Sequence, residues 1–185
     1  GILKVDKYQD FNGNDIMTSD GSGNLTLNNA ALKNTPAFQA RLSSNQTITH
    51  NTNTIVAFDT KDFDTDSAYS TSNYRFTPQT AGKYFVFANT NFTISSGKKF
   101  FVNMFFKKNG ARSNGSQVFT NSSNNSFDNY STYGTDIITL NGSTDYIQVE
   151  FFFYDYTSTA NYDLRGDNAD GRKFTKFGAY KIIGA

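Results

Sequence analysis

The sequence predicts an all-β protein built as a sandwich of two sheets, and three observations carry that prediction. From residue 36 onward, short runs place apolar residues at every second position. Clusters of Gly, Asn, Ser and Pro separate those runs, as turns require. No stretch sustains a capped 3.6-residue apolar period, so no helix is expected. About eight to ten antiparallel strands in a segment of about 150 residues suit a jelly-roll sandwich better than an open sheet.

The elements divide at residue 35. Residues 1–35 hold two short apolar runs, at 2–5 and 24–27, broken by Asn12-Gly13-Asn14 and Asp20-Gly21-Ser22-Gly23-Asn24. Such pieces are too short and polar to bury a core alone. Ile2, Leu3, Val5, Leu25, Leu27 and Leu32 are nevertheless out of place in a pure linker. An extended N-terminal stem is expected here, ordered by pairing with copies of itself or serving as an attachment segment. Residues 36–185 are expected to form the head. Phe38, Ala40 and Leu42 alternate with Gln39 and Arg41, and 54–58 is a second run. Residues 74–77 end at Pro78, and Gln79-Thr80-Ala81-Gly82 turns into a long strand over 83–94. Strands over 98–108, 117–120, 134–140, 146–154 and 176–183 complete the set, with Asn109-Gly110 closing the first of these.

Composition narrows the classes. Hydrophobic residues make up 37% of the 185 positions, yet 16% are aromatic, with 19 Phe, 11 Tyr and no Trp. The core is therefore built from few, large side chains, each burying about 150–250 Å². Phe85, in the long strand, is a candidate for that core. A net charge of +1 gives no nucleic-acid footprint. The absence of Cys excludes a disulfide framework, a thiolate metal site and a cysteine nucleophile. No run approaches the roughly 20 apolar residues of a membrane-spanning helix. Neither a nucleic-acid partner nor a membrane span is expected.

Two strands are aromatic on both faces. In 146–154, Ile147, Val149, Phe151 and Phe153 share one face, and Tyr146, Phe152 and Tyr154 lie on the other. In 98–108, Phe100, Val102, Met104 and Phe106 oppose Phe101 and Phe105. A sandwich needs one apolar face per strand, because the other normally meets water. The second aromatic face, Phe101, Phe105, Tyr146, Phe152 and Tyr154, is expected to bury against another subunit of a homotrimer. Cover by the N-terminal segment of the same chain is the plainer alternative.

The segment Asn73-Tyr74-Arg75-Phe76-Thr77-Pro78, followed by Ala81-Gly82-Lys83-Tyr84-Phe85-Val86-Phe87, resembles the signature of the complement component 1q head, in the tumour-necrosis-factor-like jelly-roll superfamily. Pro36-Ala37-Phe38 with Ala40, Val56-Ala57-Phe58-Asp59 and Tyr69 agree in order with that family, as do Leu140-Asn141-Gly142 with Asp145-Tyr146-Ile147. Phe177-Gly178-Ala179-Tyr180-Lys181-Ile182 resembles its closing strand, with the glycine one place early. The resemblance covers about residues 36–185 and implies a trimer, three jelly rolls around an axis. The chain departs from animal members in its polar loops and its lack of cysteine and of a collagen-like stalk. Leu3-Lys4-Val5-Asp6 and Asp20-Gly21-Ser22-Gly23-Asn24-Leu25-Thr26-Leu27 resemble the segment before such heads in fibre and structural proteins of tailed phages, marine ones especially.

Catalytic chemistry finds little footing. His50, the only histidine, sits in Thr49-His50-Asn51-Thr52, a context that reads as a solvated loop. No nucleophile elbow or phosphate-cradling loop is present. Asp62, Asp64 and Asp66 open like a calcium loop, but Ser67 replaces the turn glycine and Asn73 the closing glutamate. Asp167 and Asp170 lie in a second oxygen-rich loop. These five carboxylates are calcium candidates by composition only, and no cofactor is expected. Arg165-Gly166-Asp167 matches an integrin-binding tripeptide that a plain turn also explains. Ligand recognition is expected in the loops 111–116, 121–133 and 157–173. In the middle loop Asn124, Asn125, Phe127, Asp128 and Tyr130 combine amides with aromatics, groups that bind sugar hydroxyls and sugar faces.

The expectation is a non-enzymatic trimeric structural protein of a virion, in a phage fibre, tail or capsid decoration. Its stem would join other virion proteins and its head would meet a host-surface glycan or protein. A secreted or cell-surface microbial adhesion or matrix protein with the same head is the alternative, and a surface-glycan hydrolase stands behind both.

Overall fold

The structure, a computed structural model, describes residues 5–28, 33–95, 97–113 and 129–184, and the backbone of 117–121. Along the chain the strands are β1 (Lys7–Gln9), β2 (Asp15–Ser19), β3 (Leu25–Leu27), β4 (Ala37–Arg41), β5 (Gln46–Ile48) and β6 (Thr54–Ile55). Then come β7 (Thr60–Asp64), β8 (Tyr69–Ser70), β9 (Arg75–Phe76), β10 (Gly82–Thr93), β11 (Phe100–Lys108) and β12 (Ala111–Arg112). The last five are β13 (Gln117–Asn121), β14 (Asn129–Leu140), β15 (Ile147–Asp155), β16 (Tyr162–Leu164) and β17 (Lys176–Lys181). No helix occurs among the described residues.

Eight of these strands define the architecture, and all their pairings are antiparallel. The first sheet runs β4-β17-β10-β14 and the second β9-β15-β11-β13. Of these eight, only β11 and β13 are consecutive and share a sheet. Every other step crosses the core, which is the winding of a jelly roll. The shorter strands extend the edges: β7 lies beside β4, β16 pairs with the end of β10 and carries β5, and β6, β8 and β12 border the second sheet.

The inner faces interdigitate as the period-two pattern requires. Phe38, Tyr84, Val86, Phe92 and Phe177 from the first sheet meet Phe76, Val102, Phe106, Phe151 and Phe153 from the second. Phe38 is wholly buried, with ring centroids 4.5 Å from Phe76 and 4.7 Å from Tyr69. The signature segment spans the sandwich: Phe76 and Tyr84 pack in the core, and the Tyr84 hydroxyl donates to the Thr80 carbonyl across the intervening turn (2.7 Å). Phe85 corrects the sequence reading. Along β10 it is Tyr84, Val86 and Ala88 that face inward, so Phe85 and Phe87 lie half-buried on the outer face.

Strands β1–β3 form a separate antiparallel meander with a repeated turn. In one turn the Asp10 carboxylate accepts from the amides of Asn12 and Asn14, and in the other Asp20 accepts from those of Ser22 and Asn24. Tyr8, Met17 and Leu27 align across the three strands in one row.

Candidate functional site

All five residues singled out on the second sheet occupy its outer face and are half-buried. Phe101 and Phe152 meet edge-to-face at 6.1 Å. The Arg112 guanidinium lies 3.9 Å from the Phe105 ring centre, and that of Arg75 lies 3.9 Å from the Tyr146 ring. Between them Glu150, only 4% exposed, accepts from Lys107 (2.7 Å) and Arg112 (2.8 Å). Burial alone would raise the Glu150 pKa, but the bonds from Lys107 and Arg112 outweigh it and hold the carboxyl below its ordinary range. Two of these five rings, Phe105 and Tyr146, are thus roofed by the chain's own cations.

The outer face of the first sheet is different, and sequence reasoning did not single it out. Register sets Ile137, Phe85 and Tyr180 side by side on β14, β10 and β17. Phe85 lies 5.4 Å from Tyr180 and 6.4 Å from Phe87. Gly178 stands opposite Phe87, and a Cβ there would strike the Phe87 ring and the Phe38 carbonyl. Glycine is therefore the floor on which Phe87 lies. Ile137 is 57% exposed, Tyr180 39%, and Tyr133 at the rim 67%. Ile137 also forms one lip of an open groove of ≈ 470 Å³ whose other side is Arg112 and Ser113. The signal was present in Tyr84-Phe85-Val86-Phe87, where both faces of the strand carry large rings, but the alternation alone leaves either face as the inner one.

The calcium candidates are drawn to cations of the chain itself. Asp62 and Asp64 belong to strand β7, not to a loop. Arg41 bridges Asp62 and Asp167, one from each oxygen-rich segment, and Lys173 adds a second contact to Asp62 at 2.8 Å. Asp64 accepts from the amides of Ala68 and Tyr69, Asp66 is exposed, and Asp170 pairs with Arg172 at 2.5 Å. Among the described residues no three metal-ligating side chains converge. The Arg165-Gly166-Asp167 tripeptide is not displayed as a free loop. Arg165 lies over Phe174 and donates to Asn129, Gly166 leaves no room for a Cβ against the Ser44 backbone, and Asp167 is held by Arg41.

Of the loop candidates, Asn124, Asn125, Phe127 and Asp128 lie outside the described residues. Tyr130 is described and overturns the expectation of an exposed aromatic. β14 begins at Asn129, and pairing with β10 stacks Tyr130 on Phe92 at 5.7 Å, against the core. His50 is held at its loop by a 3.2 Å contact between Nε2 and the Asp155 carbonyl.

No protein-family model matches the sequence, and no curated protein matches it. Among solved structures, the chain is similar to the globular domain of zebrafish complement 1qA protein, with 19% identity and a TM-score of 0.49 over 80% of this chain and 96% of that one. It is also similar to the Eiger tumour necrosis factor of S. frugiperda, with 13% identity and a TM-score of 0.49 over 80% of this chain and 93% of that one.

Proposed function

We propose that this protein is a non-enzymatic head that assembles as a homotrimer through the outer face of its first sheet. The observation that carries this reading is the open patch of Ile137, Phe85, Phe87 and Tyr180. It is a contiguous apolar surface on rigid paired strands, of the kind that marks a protein contact. One copy can present this face to the sheet edge of the next, a head-to-tail contact that closes as a ring. The sequence resemblance to complement-1q-like heads supports the number three. The meander β1–β3, with its short exposed strands, serves as a stem whose apolar row needs cover. Its resemblance to phage fibre segments supports a role on a virion, with the head joined to other structural proteins by that stem.

Sedimentation of the purified protein should give three times the 20.6 kDa chain mass. Tyr180→Lys should yield monomers, while Tyr154→Lys, on the second sheet, should leave the trimer intact. Dissociation by Tyr154→Lys alone would return the contact to Phe101, Phe105, Tyr146, Phe152 and Tyr154. A wild-type monomer would end the trimer reading on either face. Detection of the chain in purified phage particles tests its placement on a virion.

A further inference from the structure

One corner of the head holds aromatic rings that neither the core nor the proposed trimer face uses. At the end of β15, Tyr154 and Tyr156 meet edge-to-face, centroids 4.9 Å apart and planes at 71°. His50 adds a third ring, 4.9 Å from Tyr154. Tyr156 is 56% exposed, and the Lys99 ammonium lies 5.6 Å from its ring centre. Asn161 sits behind, its carbonyl oxygen accepting from the His50 amide (3.0 Å), which leaves its amide nitrogen as a donor.

This corner is held rigid by a buried charge. Asp155, its side chain fully out of water, accepts from the Thr157 amide (2.7 Å) and from the hydroxyls of Thr157 (2.6 Å), Ser158 (2.6 Å) and Tyr162 (2.9 Å). Those bonds lock the turn that follows Tyr156, and the Tyr156 amide is tied to the Lys99 carbonyl at 2.8 Å. A polar network of this size fixes one conformation. What it fixes is a tyrosine pointing into water.

We propose that Tyr154, Tyr156, His50, Lys99 and Asn161 form a saccharide subsite that takes an acidic sugar of the uronic-acid type. An L-shaped pair of rings offers one face and one edge to the apolar face of a pyranose, the way aromatic side chains accept C–H surfaces. Asn161 matches ring hydroxyls, and Lys99 supplies the countercharge for a carboxylate. A protein partner fits less well, because the aromatic area is small and its neighbours Asn51, Thr157, Thr159 and Asn161 are exposed and polar. The pre-formed geometry spares the ordering cost that a mobile loop would incur. The subsite lies within one chain and does not depend on the trimer.

Titration of ¹⁵N-labelled full-length protein with tetragalacturonate and, separately, with a neutral galactose tetrasaccharide tests it. Tetragalacturonate should shift the amides of 50, 99, 156 and 161, with the neutral sugar weaker. Tyr156→Ala should lower affinity about tenfold or more, and Tyr156→Phe, which keeps the ring, should not. Lys99→Gln should remove the preference for the acidic sugar, lowering its affinity to that of the neutral one. Tyr133→Ala, at an exposed tyrosine elsewhere, should have no effect. The proposal is overturned if neither sugar shifts these amides at millimolar concentration, or if binding survives Tyr156→Ala. It is equally overturned if only a polypeptide occupies the corner. Each of these results reads the same whether sedimentation gives a trimer or a monomer.

Discussion

On the second sheet Phe105 lies under the guanidinium of Arg112 and Tyr146 under that of Arg75, whereas on the first sheet Ile137 and Tyr180 stand 57% and 39% exposed. Both outer faces are rich in large apolar side chains on paired strands. The difference lies in what the chain lays over them. Long cationic side chains cover apolar surface with their stems while their heads stay hydrated, so an aromatic face can be finished within one chain. Aromatic content on a strand's second face therefore does not by itself mark a subunit contact. Whether a cation and its counterion, here Arg112 with Glu150, roof that face is the better guide.

The largest expected contrast is between the inner and outer sides of the first sheet. Phe38→Ala empties a wholly enclosed site among Tyr69, Phe76 and Phe177 and should cost about 3–5 kcal/mol in chemical denaturation. Phe85→Ala, made in a Tyr180→Lys background that keeps the chains apart, should cost clearly less, about 1–2 kcal/mol, because that ring lies on the outer face and is only partly buried. In the otherwise wild-type chain the same substitution should weaken the proposed trimer instead, making unfolding depend on protein concentration. Equal losses from Phe38 and Phe85 in the monomeric background would mean that β10 has its faces reversed.

The period-two alternation made most of the sandwich legible. The inner sets of β11 and β15 follow directly from residues 100–106 and 147–153, and the outer sets with them. The signature segment was visible because its tyrosine, phenylalanine and turn residues sit close together in sequence. Strand β7 was not visible: Lys61-Asp62-Phe63-Asp64 has no apolar alternation, since it lies at the sheet edge and directs its carboxylates to Arg41 and Lys61. Its acidic pattern reads as a cation loop for the same reason. Tyr130 misled because its Asn- and Ser-rich surroundings look solvated, while a register partner 38 positions away draws it onto Phe92. The roof over the second sheet was equally hidden, since Arg112 and Lys107 find Glu150 across 38 and 43 residues. The Asp155 corner was partly readable, because three of its donor side chains follow within seven positions as Thr157, Ser158 and Tyr162.

Removing the counterion should sharpen the comparison next. Glu150→Gln keeps the shape but loses the charge that pairs with Lys107 and holds Arg112 over the ring of Phe105, and should cost about 2 kcal/mol at neutral pH. The effect has a defined pH dependence. The folded carboxyl titrates below its ordinary value, so its stabilisation is fully present above about pH 4.3, the unfolded value, and is lost as pH falls through the folded one. Stability measured from pH 7 down to pH 3 should show the gap between wild type and Glu150→Gln closing on the acid side. A gap that widened with acid would place the favourable interaction on the protonated carboxyl and contradict the geometry.

Arg112→Ala should have the smallest effect and discriminates most finely between the two faces. Its guanidinium is close to the water side, its side chain being 43% exposed, so the loss of its stacking and its bond to Glu150 should amount to about 0.5–1 kcal/mol. Lys107 still neutralises Glu150, which limits the damage. What changes more than stability is cover, because Phe105 loses the plane that lies over it. If the second sheet is finished by its own cations, the variant should sediment as the wild type does but bind a hydrophobic dye that the wild type binds less. If that face is instead buried between subunits, the variant should sediment as smaller species, whatever the dye reads. The same substitution therefore separates a roof made by one chain from a roof made by its neighbour.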